Sequence, residues 1–259
     1  LDPLLHEQYA LENYKISGSA NTTTPDIEIV KTKPIFNKKL DLSTVASLPD
    51  DHIAKIYVAS RKIPESLHSQ LYYTDDYKSF VDTFNVDKNI PANDVRLVIP
   101  FHDKEGNLTG FQGRTLTDSK IRYLTIKVAD DSERIIYNLN RVDSTKKVYV
   151  FEGPIDSMFI NNSIAVASSS LAVAGDILDK SNIVLVFDNE PRNKEIVRLM
   201  EDAIDNHFNV VIWPEMIQEK DINDMVLAGF APDELEDILE KHTYLNLRAK
   251  MEFVAWKRT

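Results

Sequence analysis

The chain contains no cysteine in 259 residues, so the sequence given can form neither disulfides nor thiolate zinc sites. That absence favours an intracellular, cytoplasmic setting. No apolar run approaches the roughly 20 residues that span a bilayer, and no membrane partner is expected. Positive charge is in deficit, with 30 Lys and Arg against 41 Asp and Glu and a net charge of −11. This argues against wrapping duplex DNA through a broad basic surface but leaves room for a local basic channel. Internal repeats and low-complexity tracts are missing too. Leu1 to His6 lacks a basic region and a small-residue cleavage site, and there is no initiator methionine. A piece of a longer chain is therefore expected.

What is present is an ordinary globular composition with a few concentrated signals. The 43% hydrophobic and 27% charged fractions suffice for one large domain or two modest ones. Val148-Tyr-Val-Phe-Glu152-Gly-Pro-Ile-Asp156 reads as an apolar strand running into a carboxylate, a glycine and a second carboxylate four residues on. Ile183-Val-Leu-Val-Phe187 likewise ends in Asp188-Asn-Glu190, and Lys220-Asp221-Ile-Asn-Asp224 adds a third acidic piece.

The pattern around these pieces predicts an α/β chain. Residues 1–40 hold a possible helix from Pro3 to Asn13 and then a Thr-, Lys- and Pro-containing tether. A subdomain over 41–145 follows. Asp41-Leu-Ser43 precedes one helical stretch, and Pro49-Asp-Asp51 caps another with Ile53, Ile56, Tyr57 and Ser60 at helix spacing. From Val95 the subdomain turns to strands. Arg96 to Pro100 and Leu108 to Arg114 flank a turn with Gly106 at its tip, and Ile121 to Val128 alternates apolar and polar residues. Over 146–230 strands at 148–151, 164–168, 183–187 and 209–213 alternate with helices, which predicts a mostly parallel sheet with helices on both faces. Residues 231–259 supply helices at Pro232–His242 and Asn246–Lys257.

In such sheets ligands bind beyond the carboxyl ends of strands, where strand order reverses. Glu152 sits in that position, Gly153 permits a tight turn, and Pro154 suits a first helical position. Asp156 then lies in the first helical turn. Asp188 and Glu190 have strand spacing and face one way if the strand continues. Hard divalent cations take oxygen ligands, and a pair of them serves in-line phosphoryl displacement. The six histidines show no ligand spacing, and Trp213 and Trp256 read as packing residues. Ser168 to Ser170 either line the site or form an ordinary turn.

Glu152-Gly-x-x-Asp156 with Asp188-x-Glu190 resembles the Toprim fold, which usually has Asp-x-Asp where this chain has Asp188-Asn-Glu190. Arg96-Leu-Val-Ile-Pro100, Gly110-Phe-Gln-Gly-Arg114 and Arg122-Tyr123 in front of it resemble the basic unit of DnaG-type DNA primases, and the segments together are most similar to the T4-type bacteriophage group. The resemblance implies a mixed N-terminal α/β subdomain, a Toprim domain and a short helical C-terminus. It implies synthesis of RNA primers from ribonucleoside triphosphates on single-stranded DNA, with a hexameric replicative helicase as partner and zinc confined to a separate N-terminal domain. It assigns Glu152, Asp188 and Glu190 to catalysis. With Asp156 and Asp221 they would bind two or more Mg²⁺ or Mn²⁺ ions, and no organic cofactor is implied. Arg96, Arg114, Arg122, Lys127, Arg192 and Lys220 would meet nucleotide, primer or template, Lys194 less so. A metal-dependent Toprim nuclease and a non-catalytic docking module remain open alternatives.

Overall fold

A short edge strand, β1 (Ser43–Thr44), begins a five-stranded antiparallel sheet ordered β1, β2 (Tyr72–Thr74), β3 (Arg96–His102), β4 (Leu108–Thr115) and β5 (Tyr123–Lys127). This computed structural model describes residues 40–128, 134–167 and 170–258, all within the unit Phe36–Thr259. The expectations for the first 39 residues and for Ser168 and Ser169 lie outside the described residues.

The hairpin expected at Gly106 is present. Gly106 adopts φ +86, and Asp103 accepts hydrogen bonds from the Asn107 backbone N–H and side-chain amide at 2.8 and 2.9 Å. The helix expected after Asp41 is absent; β1 and a single 3-10 turn at Val45–Ser47 stand there instead. Helix α1 (Ile53–Ser60) is as expected in extent but not in orientation. It buries Ala54 and Val58, whereas Ile53 and Ile56 remain 40% and 55% exposed. Small residues face inward because the helix packs close against the preceding 3-10 turn. Helix α2 (Tyr77–Asp82) begins at Asp76, whose carboxylate accepts from the Ser79 N–H at 3.2 Å. Its Tyr77, Phe80 and Val81 pack with Val98, Phe111 and Ile126 on one face of the sheet.

The second sheet is ordered β10 (Thr243–Tyr244), β9 (Asn209–Val211), β8 (Ile183–Leu185), β6 (Val148–Phe151), β7 (Ser163–Ala165). β6 to β9 pair in parallel, and β10 closes one edge antiparallel to β9. The connections are less regular than the alternation suggested. Helix α3 (Pro154–Ser157) has only four residues, and 3-10 turns at Leu171–Asp176 and Lys180–Asn182 join β7 to β8. Helix α4 (Lys194–Asp205) buries Ile196, Val197, Met200, Ala203 and Ile204 on one face, each large side chain contributing about 1.5–3 kcal/mol. Helices α5 (Ile222–Ala228), α6 (Pro232–Lys241) and α7 (Asn246–Trp256) complete the chain. The larger of two core clusters runs through both sheets, from Leu97, Ile99 and Phe101 to Val148, Ile164, Leu185 and Val210. No helix among the described residues is long and apolar enough to cross a membrane.

Candidate active site

Strand order places the acids. β6 connects to β7 on one side while its other neighbour, β8, connects to β9 on the opposite side, so the two connections diverge and open a crevice at the carboxyl ends of β6 and β8. Glu152 follows β6 directly. Gly153 keeps the turn narrow, since a Cβ there would stand 3.0 Å from Asp156 Oδ2. Asp156 sits in the first turn of α3, and its Oδ1 accepts from the Asn223 backbone N–H at 3.0 Å. Asp221 caps α5, accepting from the Asp224 N–H at 2.8 Å.

β8 ends at Leu185, so Asp188 and Glu190 are not on a continuing strand. A tight turn in which Glu190 N–H donates to Asp188 O at 2.8 Å brings the two carboxylates together instead. Lys220 sits between them, 3.3 Å from Asp188 and 3.4 Å from Glu190. Burial works against the Lys220 charge, but these two carboxylates hold its pKa above the ordinary value. Asn189 fixes the turn from behind. Its side chain donates to the Ile217 and Glu219 carbonyls and accepts from Trp256 Nε1 at 3.0 Å. Trp213 Nε1 donates to Phe187 O at 2.8 Å. Both tryptophans are packing residues, as expected, and both hold the segment that carries Asp188.

A cleft of about 560 Å³ gathers Glu152, Asp156, Asp188, Lys220 and Asp221 against Arg61, Gln112, Arg114, Arg122, Tyr123 and Thr125 of the first sheet and its helix α1. Arg114 lies 4.7 Å from the Tyr123 ring centroid and 5.7 Å from that of Tyr57, and contact with the two rings restrains its guanidinium. A second hollow of about 900 Å³ shares Arg61, Arg114 and Arg122 and extends the basic wall to Lys120. The acidic protein therefore carries a local basic channel.

The carboxyls resist ionising. Partial loss of water and the nearby Asp188 raise Glu152, while loss of water and Asp221 raise Asp188. Loss of water also raises Asp221. Burial and the neighbouring Asp221 push Asp156 up to about 8. Among the described residues no three acidic or imidazole groups stand close enough to enclose an ion by themselves. Mg²⁺ nevertheless binds through one or two carboxylates and completes its shell with water and substrate phosphate. Crowded, under-ionised carboxylates suit such an open cation site. A pH test follows. The folded-state pKa of Asp156 is raised above its unfolded value near 3.9, so the metal-free fold binds an extra proton between the two. The associated stability is complete below about pH 4 and lost as pH rises through about 8. In chelator, the melting temperature should fall from about pH 5 to about pH 8.5, and Asp156→Asn should flatten that fall. An unchanged slope in the variant would contradict the assignment.

Other expected residues are placed differently. Arg96 is not in the cleft: it is 0% exposed, donating from Nε to Asp94 at 2.7 Å and from its terminal nitrogens to Gly113 O at 2.7 Å and Ile121 O at 2.9 Å. Leu97 pairs with Arg114, so Arg96 is one step out of phase and points to the opposite face of the sheet. Gly113 makes room for it, since a Cβ there would meet Tyr77 Cζ at 2.5 Å and Arg96 Cδ at 2.7 Å. Lys127 shares a sheet face with Tyr123 and Thr125 but lies beyond the cleft lining. Arg192 opens into a separate hollow behind Asn189, with Trp213, Tyr244 and Trp256. Glu190 meets Lys220 without lining the cleft. Lys194 begins α4 as an exposed residue. Arg61, Gln112, Thr125 and Asn223, not anticipated from the sequence, do line it. Tyr57 and Arg61 at helical i, i+4 spacing were the one available signal for Arg61.

No protein-family model matches the chain. It is 31% identical over 258 residues to the DNA primase of Enterobacteria phage T4, covering 96% of this chain and 74% of that protein. Its fold is similar to the E. coli primase catalytic core, with TM-score 0.59, 16% identity and coverage of 80% and 78% of the two chains. It is also similar to a DnaG primase catalytic domain bound to single-stranded DNA, with TM-score 0.58, 17% identity and coverage of 78% and 74%. The acids at the strand-order reversal, the arginines facing them and a likeness to the phage enzyme along almost the whole sequence converge: the chain belongs to the DNA primase family.

Proposed function

We propose that this primase joins ribonucleoside triphosphates into short RNA primers on single-stranded DNA within the cleft between its two sheets. The observation that carries the reading is the facing of Arg61, Arg114 and Arg122 toward Glu152, Asp156, Asp188 and Asp221 in one cavity. Phosphoryl transfer needs placement and charge neutralisation more than a protein nucleophile. The arginines bind phosphates, with the planar guanidinium of Arg114 held between two rings for directed contacts. The carboxylates Glu152, Asp156, Asp188 and Asp221 form the opposite wall. Glu152, Asp156, Asp188 and Asp221 would hold Mg²⁺ or Mn²⁺, two or more, with Glu190 a further ligand if the Lys220 contact yields. Bound there, the metals would lower the pKa of the primer 3′-hydroxyl and stabilise the departing pyrophosphate. Lys220 keeps Asp188 and Glu190 together before substrate arrives. The wider basic hollow, with Lys120 and Arg122, receives the template or primer backbone, and Lys127 extends that face.

Single-stranded DNA, ribonucleoside triphosphates, the RNA primer and a replicative helicase are accordingly the partners, and the cytoplasm where replication proceeds is the location. The test supplies radiolabelled ribonucleotides, Mg²⁺ or Mn²⁺ and a single-stranded template. Short labelled RNA is expected, and none on duplex DNA. Degradation of the template without incorporation would instead indicate the nuclease reading.

A further inference from the structure

Asn223 follows Asp221 by two positions, yet it is 3% exposed and turned away from solvent. Both ends of its amide are used by one residue of the other half of the molecule. Its Oδ1 accepts from Arg61 Nη1 at 2.9 Å, and its Nδ2 donates to the Arg61 backbone carbonyl at 2.8 Å. Its own backbone N–H meanwhile donates to Asp156 at 3.0 Å. A single buried residue thus joins an arginine of the basic wall to a carboxylate of the acidic wall. Lys62 reinforces the join, reaching from the left-handed turn after α1 (φ +55) to Val226 O at 3.0 Å.

We propose that Asn223 is a positioning residue for primer synthesis, clamping Arg61 at a fixed separation from Asp156 so that its guanidinium faces both hollows. The inference rests on the polymerising role of the cleft. An arginine at a helix end ordinarily has wide rotamer freedom, and fixing it in advance reduces the ordering needed when a phosphate binds. The chemistry explains an amide here. Arg61 presents an N–H donor and a C=O acceptor side by side, and only a group with one acceptor and one donor matches both. A carboxylate would pair with the guanidinium but oppose the Arg61 carbonyl and add charge beside Asp156 and Asp221.

The experiment is a double-mutant cycle on the whole chain, with Asn223→Ala, Arg61→Ala and both together. Primer synthesis is measured against nucleotide, template and Mn²⁺ concentration. Each single variant should raise KM for nucleotide or template about 10-fold, and the double variant should be no worse than Arg61→Ala. The Mn²⁺ concentration giving half activity should stay unchanged in Asn223→Ala. Additive losses, or a shifted Mn²⁺ midpoint with unchanged KM, would overturn the inference and mark Asn223 as acting through Asp156. Should Asn223→Ala fail to fold, the neutral, shorter Asn223→Ser replaces it. That variant cannot reach both the Arg61 guanidinium and the Arg61 carbonyl, and it too must raise KM and be silent in the Arg61→Ala background. A wild-type chain that makes no primer but binds the labelled template would count against the reading of the cleft. The same cycle, read as template affinity, would then decide the clamp.

Discussion

Asp188→Ala is expected to reduce primer synthesis by about 10²–10³-fold, the scale on which removing one preorganised charge-stabilising group acts. Asp188 lies on the turn braced by Asn189, Trp213 and Trp256, where its charge raises the pKa of Glu152 and the charge of Asp221 raises its own. Its removal leaves the opposite arginines with an unbalanced wall and leaves Lys220 with Glu190 alone. The fold should be unaffected. Loss of water and the nearby Asp221 already hold this carboxyl above its ordinary range, so the metal-free protein gains little from its charge. Incorporation assays paired with thermal melting check both halves of the expectation. Wild-type rates would remove Asp188 from the site, and a collapsed melting transition would make it structural.

Arg96→Ala is expected to show the opposite signature, a loss of about 3–5 kcal/mol of stability. Arg96 and Asp94 have side chains 0% and 4% exposed and stand 2.7 Å apart. Deleting the guanidinium leaves Asp94 buried without its partner, and frees the carbonyls of Gly113 and Ile121 that hold the β4–β5 connection. It also empties the space over the Tyr77 ring, which Arg96 covers at 5.3 Å. Urea denaturation is the direct measurement. A normal midpoint with weakened nucleotide binding would place Arg96 in the substrate surface after all. Because Arg96 anchors the backbone just before Tyr123, a folded remnant would also misplace Arg122.

These two residues show where reading the chain alone succeeds and where it stops. Asp188 was legible because an apolar strand ending in acid is a local pattern, and because similar patterns recur at Glu152 and Asp221. The hairpin around Gly106, the face of α4 and the parallel character of β6 to β9 were legible for the same reason, since periodicity and turn chemistry act within a few residues. Arg96 looked like Arg114, a basic residue on a strand near a glycine. What separates them is parity across a strand pair, and a one-residue offset sends side chains to opposite faces. The inward turn of Ala54 and Val58 on α1, in place of Ile53 and Ile56, was equally hidden, because the partner surface decides which helix face is buried.

The amino-acid sequence by itself determined the class of chemistry: which acids end the strands, the absence of thiols, and the basic segments that precede the acids. Those properties are carried by residue type and short spacing. Only the tertiary structure decided which charges meet. Arg61 and Asn223 stand 162 positions apart and touch because two sheets share one core, while Arg192, two residues from Glu190, turns into a different hollow. Distances of that kind follow from packing of whole elements, and no local pattern encodes them.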